Sequence, residues 1–190
     1  MERIPAQLDF LLTCDRLRNV ERQNYLHDGS RAENSAEHSW FLALMALTLA
    51  EYAPTGTDIS HVVKLLVVHD LVEVFAGDAY IETAEAAAEQ TAKEVQAAAR
   101  LFALLPTDQA LEFRALWDEF EARTTAEAQF ARQLDAFAPA LLTWANGGHG
   151  REKWGQPSAG YVAMKRQTIT QPELWRQFEG WMAREGVEIA

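Results

Sequence analysis

His69 and Asp70 stand side by side inside an apolar run, VVHDLVEVFAGD at 67–78, with Glu73 and Asp78 close behind. Ionisable groups buried among Val, Leu and Phe cost free energy unless something pairs with them. On a helix, His69 and Glu73 are four apart and Asp70 and Glu73 three apart, so each pair shares a face. Neighbours His69 and Asp70 project about 100° apart and meet only at a point close to the helix. A divalent cation is such a point, and imidazole and carboxylate are ordinary ligands of first-row metals. Two ligands hold an ion poorly. His38, in the first turn of another apolar helix, and Asp135, an acid inside RQLDAFAPALL, are the best further donors. The expected site is thus His38, His69, Asp70 and Asp135, two nitrogens and two oxygens from three helices.

Each residue also has a plainer reading. A His-Asp pair is commonly a satisfied polar pair, His38 can cap a helix, Asp135 can pair with Arg132, and Glu73 and Asp78 can be solvated acids. What favours chemistry is the set, because three apolar helices each contribute ionisable groups that their other faces lack.

The elements that must position these groups read mostly as helices. Residues 6–20 form a first helix, with Leu8, Leu11, Leu12 and Leu17 at roughly helical spacing. Residues 21–34 are polar, contain Asp-Gly, and read as a loop. Asn34 with Glu37 resembles a capping box opening a helix near Ser35, and its apolar girth marks a central, buried element. Asp58 or Ser60 caps the next helix, which carries His69 and Asp70; at about 17 residues before its Gly77 stop it is too long for a strand. An alanine-rich helix from Thr83 ends at Pro106, and an amphipathic one covers 108–123. Thr124 and Glu127 look like a second capping box for a helix over 125–145, where Pro139 predicts a bend beside Asp135. NGGHG leads into a glycine-rich loop to Pro157, and two helices near 158–169 and 171–185 close an all-α, single-domain chain.

Composition sets the outer limits. The 190 residues carry 28 acids against 17 bases, a formal charge of −11. Such a surface repels a nucleic-acid polymer but still admits a small anion met by a metal or a few arginines. Cys14 is the single cysteine, so no intrachain disulfide forms, which suits a reducing compartment. No signal-peptide pattern and no uncharged apolar stretch of ~20 residues is seen, so a cytoplasmic protein without membrane partners is expected.

The order H…HD…D resembles that of the HD-domain metal-dependent phosphohydrolases. LRNV at 17–20, ENSAEHSW at 33–40, LLVVHDLVEVFAGD at 65–78 and AEAQFARQLDAFAPALL at 126–142 are similar to the small 5′-deoxynucleotidase branch. The resemblance covers a core of about 8–145 within one domain over 1–190, leaving 146–190 as a C-terminal helical extension. It implies the HD-domain helical fold, a homodimer, and His38, His69, Asp70 and Asp135 as metal ligands. It also implies Glu73 as the acid used in catalysis, Asp78 as a second acid that contacts the sugar, and an arginine upstream of RNV, nearest to Arg16, on the substrate. Leu17 stands where the branch has Trp, and YLHDGSR is inserted before the EH pair.

HD proteins with two metals carry extra histidines between the doublet and the final aspartate, and this chain has none there, so the resemblance implies one divalent ion, with Co, Mn, Fe, Zn and Mg all admissible. The expected reaction is hydrolysis of a small phosphate monoester, a nucleoside 5′-monophosphate foremost, with Glu73 handling the proton of water or of the leaving alkoxide. Of the arginines near the start, Arg18 and Arg16 lead as phosphate contacts. Two rivals are a catalytically silent metal- or nucleotide-binding sensor and a helical interaction module presenting Trp175, Phe178 and Trp181.

Overall fold

Two reciprocal hydrogen bonds fix the start of the central helix, α2 (Ser35–Thr48). The Glu37 N–H donates to the Asn34 side chain at 3.0 Å, and the Asn34 N–H donates to the Glu37 carboxylate at 3.2 Å. This is a computed structural model, and it describes residues 2–79 and 84–187. α3 (Ile59–Val68) is capped by Asp58, which accepts from the N–H groups of Ser60 and His61. α7 (Ala126–Trp144) runs through Pro139 and buries Phe130, Leu134 and Phe137. α2, α3 and α7 pack on one another. α5 (Ala84–Phe102) and α6 (Thr107–Ala122) close the far side, and α1 (Arg3–Cys14) leads into a 3-10 turn over Asp15–Asn19. The expected start of α5 at Thr83 lies outside the described residues.

Several expectations change. The first helix stops at Cys14, and Leu8, Leu11 and Leu12 face solvent while Ala6, Phe10 and Leu17 turn inward. Both faces of α1 carry apolar residues at helical spacing, and the edge-to-face contact of Phe10 with Phe113, 5.3 Å between centroids, belongs to the inner one. α2 is likewise not buried all round, since Trp40, Leu44 and Leu47 are exposed.

The expected loop over 21–34 is a hairpin of β1 (Glu21–Tyr25) and β2 (Ala32–Asn34), paired antiparallel with an irregularity between Glu21 and Tyr25. It escaped apolar-alternation rules because its inward side chains, Arg22 and Asn24, serve a polar site instead of the core. After α3, the chain tightens into a 3-10 turn over His69–Val72, then resumes as α4 (Glu73–Ala76) until Gly77, at φ +75°.

The second capping box is not formed. Thr125 is the cap of α7, and Glu127 instead accepts the backbone N–H of Asp58 at 3.0 Å. The expected loop after α7 contains α8 (Gly150–Trp154). A Cβ on Gly150 would lie 2.1 Å from Thr143 Cγ2, so only glycine lets α8 seat there. α9 (Ala159–Thr168) and α10 (Pro172–Arg184) then pack on α7. Trp175, Phe178 and Trp181 are buried, Trp181 against Phe137 at 5.1 Å, so they form core and not a partner surface. No helix among the described residues is long and apolar enough to cross a membrane.

Candidate metal centre

The packing of α2, α3 and α7 brings His38, His69 and Asp135 together: each offers a donor atom, and these atoms lie within 4.8 Å of one another. Asp70 joins them, with Oδ1 3.0 Å from His69 Nε2 and Oδ2 4.0 Å from His38 Nε2. His38 is wholly buried, and His69 nearly so.

The donor set suits a cation. His69 Nδ1 lies 2.8 Å from the Leu66 carbonyl, which only accepts, so Nδ1 carries the proton and Nε2 of the neutral ring presents its lone pair. That buried Nε2 makes no hydrogen bond among the described residues and faces carboxylate oxygens of Asp70 at 3.0 Å and Asp135 at 3.9 Å. Lone pairs converge there, and a positive charge between them satisfies all of them at once.

His38 lies between two carboxylates. Its Nε2 meets Asp135 Oδ1 at 3.0 Å, and Glu33 Oε2, itself buried, lies 3.3 Å from Nδ1. Burial and Arg22 disfavour a charged His38, but hydrogen bonding to Asp135 and Glu33 outweighs them and holds its pKa near 9. Burial alone would raise Asp70, yet the Arg22 guanidinium 2.8 Å away helps hold it at about 2; the His38 hydrogen bond and Arg132 likewise keep Asp135 well below the ordinary range. Both therefore stay carboxylates.

Glu73, from α4, receives the Ser35 hydroxyl at 2.5 Å. Burial first, then the Asp70 charge, push its pKa up to about 9 against the pull of Arg22. A proton on Glu73 is therefore easily kept, and a nearby cation works in the opposite direction.

Arg22, not Arg18 or Arg16, enters the acid cluster. Its guanidinium donates to Asp70 Oδ2 at 2.8 Å and lies 3.7 Å from Glu73 and 3.9 Å from Asp78. Arg18 is exposed and bound to Asp15 at 2.6 Å, and Arg16 sits over the Phe75 ring. Strand alternation is the signal that selects Arg22: with Asn24 it shares the half-buried face of β1, while Glu21 and Gln23 face out. Sequence reading also passed over Glu33 and Lys165; the latter, buried on α9, donates to the Ala136 carbonyl at 2.5 Å. A cavity of about 450 Å³ opens beside Arg22 and Asp78 and reaches Lys165.

The chain is similar to several known proteins. The human 5′-deoxynucleotidase HDDC2 is 30% identical over 129 residues, 67% of this chain and 62% of that protein. The Xenopus laevis 5′-deoxynucleotidase HDDC2 is 32% identical over 129 residues, 67% of this chain and 63% of that one. The match thus spans just under two thirds of the length of these relatives. A solved structure from Magnetospirillum magnetotacticum MS-1, described as a predicted metal-dependent phosphohydrolase, is 38% identical. It superposes with a TM-score of 0.85, covering 97% of this chain and 95% of that one. PH0347 from Pyrococcus horikoshii OT3, 20% identical with a TM-score of 0.63 over 93% of this chain and 98% of that one, shares the fold. The HD-domain family model matches residues 14–175, a span that contains the His69–Asp70 doublet and both of its partner helices. The chain belongs to the HD-domain family.

Proposed function

We propose that the chain hydrolyses phosphate monoesters, nucleoside 5′-monophosphates foremost, using one divalent ion held by His38, His69, Asp70 and Asp135. The carrying observation is the buried lone pair of His69 Nε2, without a hydrogen bond among the described residues and set between two carboxylates. The 5′-deoxynucleotidase activity for which the HDDC2 relatives are named supports the nucleotide class.

When bound, the ion polarises the phosphoryl group and lowers the pKa of its water toward ~7. Glu73, steadied by Ser35, moves a proton at the attacking water or at the leaving oxygen. Arg22 takes the phosphate oxygens, a role its planar donor fork suits better than an ammonium would. Asp78, on the open side of Arg22, meets the sugar hydroxyls. Arg22 thereby replaces Arg18 and Arg16 in this reading.

We also infer a homodimer, supported by exposed Leu8, Leu11 and Leu12 on α1 and Trp40 and Leu47 on α2. Light scattering gives twice the chain mass if so. A cytoplasmic setting is supported by the lone, half-buried Cys14.

The test is a phosphate-release screen over nucleotides and sugar phosphates after chelation and re-addition of Co²⁺, Mn²⁺, Fe²⁺, Zn²⁺ or Mg²⁺. Metal-restored cleavage of 5′-monophosphates supports the reading. No release with any ion overturns it.

A further inference from the structure

The cavity beside Arg22 and Asp78 is far larger than a phosphate, and most of its wall comes from the C-terminal part of the chain. The end of α7 contributes Trp144, α8 contributes Trp154, and α9 contributes Tyr161 and Lys165. These residues, Trp144 apart, lie beyond the stretch that resembles the deoxynucleotidase branch. We propose that this cavity is the nucleoside subsite, and that the α8–α9 segment makes the protein select phosphate esters carrying a planar base over bare sugar phosphates. This rests on the proposed monoesterase activity.

Position comes first. Arg22 and Asp78 belong to both the cavity and the acid cluster, so an ester with its phosphate at the metal centre extends its leaving group into the cavity. Size agrees, since about 450 Å³ lies within the range of small-ligand pockets.

The lining has the chemistry of base recognition. Three aromatic rings face the space, and Trp154 is 44% exposed, an apolar surface that a stacked ring would cover. The Tyr161 hydroxyl accepts from Trp144 Nε1 at 3.3 Å, which leaves its own proton to donate. Burial pushes the Tyr161 pKa up to about 12, so that proton is retained. Asn24 and Gln156 add side-chain amides, each a donor and an acceptor together, as base edges require. Among the described lining residues, two basic side chains, Arg22 and Lys165, stand with one acid, Asp78.

The wall is also built in place. Gly150 seats α8 directly on Thr143, and Lys153 on α8 donates to the Tyr25 hydroxyl of β1 at 2.6 Å. A preformed wall avoids the ordering cost of closing around a ligand.

The experiment compares hydrolysis of 2′-deoxynucleoside 5′-monophosphates with that of 2-deoxyribose 5-phosphate, in the metal-loaded protein and in Trp154→Ala. The variant is expected to raise KM for the nucleotides about tenfold, with kcat within about twofold and the sugar phosphate unaffected. Saturable quenching of tryptophan fluorescence by a deoxynucleoside lacking phosphate is expected in the parent and weakened in the variant. Met164→Ala, altering another exposed side chain of the lining, repeats the test if Trp154→Ala fails to fold. Equal KM changes for both substrate types, or no saturable quenching in the parent, overturn the subsite. Failure to cleave any phosphate ester would overturn the monoesterase reading instead, and the quenching result would still decide the subsite.

Discussion

Glu33 Oε2 lies 3.3 Å from His38 Nδ1, with both side chains almost wholly removed from solvent. A buried carboxylate behind a histidine fixes ring orientation and makes the opposite nitrogen a better donor. Glu33→Gln is therefore expected to weaken metal binding about 10–100-fold, measured by competition with a chromogenic chelator. Unchanged affinity would detach Glu33 from the centre.

His69 and Glu73 lie four residues apart and should separate two functions. His69→Ala is expected to abolish stoichiometric metal in elemental analysis. Glu73→Gln is expected to keep the ion yet lower kcat by ~10²–10⁴-fold. Full activity in Glu73→Gln would remove this residue from the proton path.

Arg22 and Arg18 make a sharper contrast. Arg22→Lys preserves the charge but loses the fork and should lower kcat/KM for nucleotides by roughly tenfold or more. Arg22→Ala leaves Asp70 and Glu73 without their buried cation and should also destabilise the fold by ~3–5 kcal/mol in urea titration. Arg18→Ala, at an exposed pair with Asp15, should leave both measurements near parental values.

Lys165 gives a pH dependence. Burial, only partly offset by Asp135 and further opposed by Arg132 and Arg22, lowers its pKa to about 8. With the folded value below the unfolded ~10.4, the unfolded chain binds more protons between them, so this group's contribution to stability rises with pH across that window. Below pH ~8 the full burial cost is present. Lys165→Met should therefore be more stable than the parent at pH 7, by roughly 3 kcal/mol at most, with the gap closing toward pH ~10. Paired thermal melts across that range check the sign.

The sequence made the helices around the site legible because each announces itself by a cap, a glycine stop, or acids and histidines set in apolar runs. The Asn34–Glu37 box and the Asp58 cap are local hydrogen-bond patterns, and they appear where the residue types place them. The hairpin is not legible, because its inward positions are the polar Arg22 and Asn24, which leave no apolar alternation. Choosing Arg22 over Arg18 needs that hairpin, and Glu33 matters only because β2 leads directly into α2. α1 hid its inner face because Leu8, Leu11 and Leu12 repeat as regularly as Ala6 and Phe10, and only the neighbouring Phe113 distinguishes the two. Lys165 and Trp154 are remote in sequence from the doublet, so nothing local marks them as its neighbours.

The two-stranded ribbon carries a built-in check on its own alignment. A slip of one residue in β1 would rotate Arg22 outward and turn Glu21 or Gln23 toward Asp70, Glu73 and Asp78. Glu21 would then add a further negative charge where a cation now stands, and Gln23 would leave the acids there without Arg22. Mispairing is penalised electrostatically rather than by lost apolar contact, which lets so short and hydrophilic a ribbon keep a unique register.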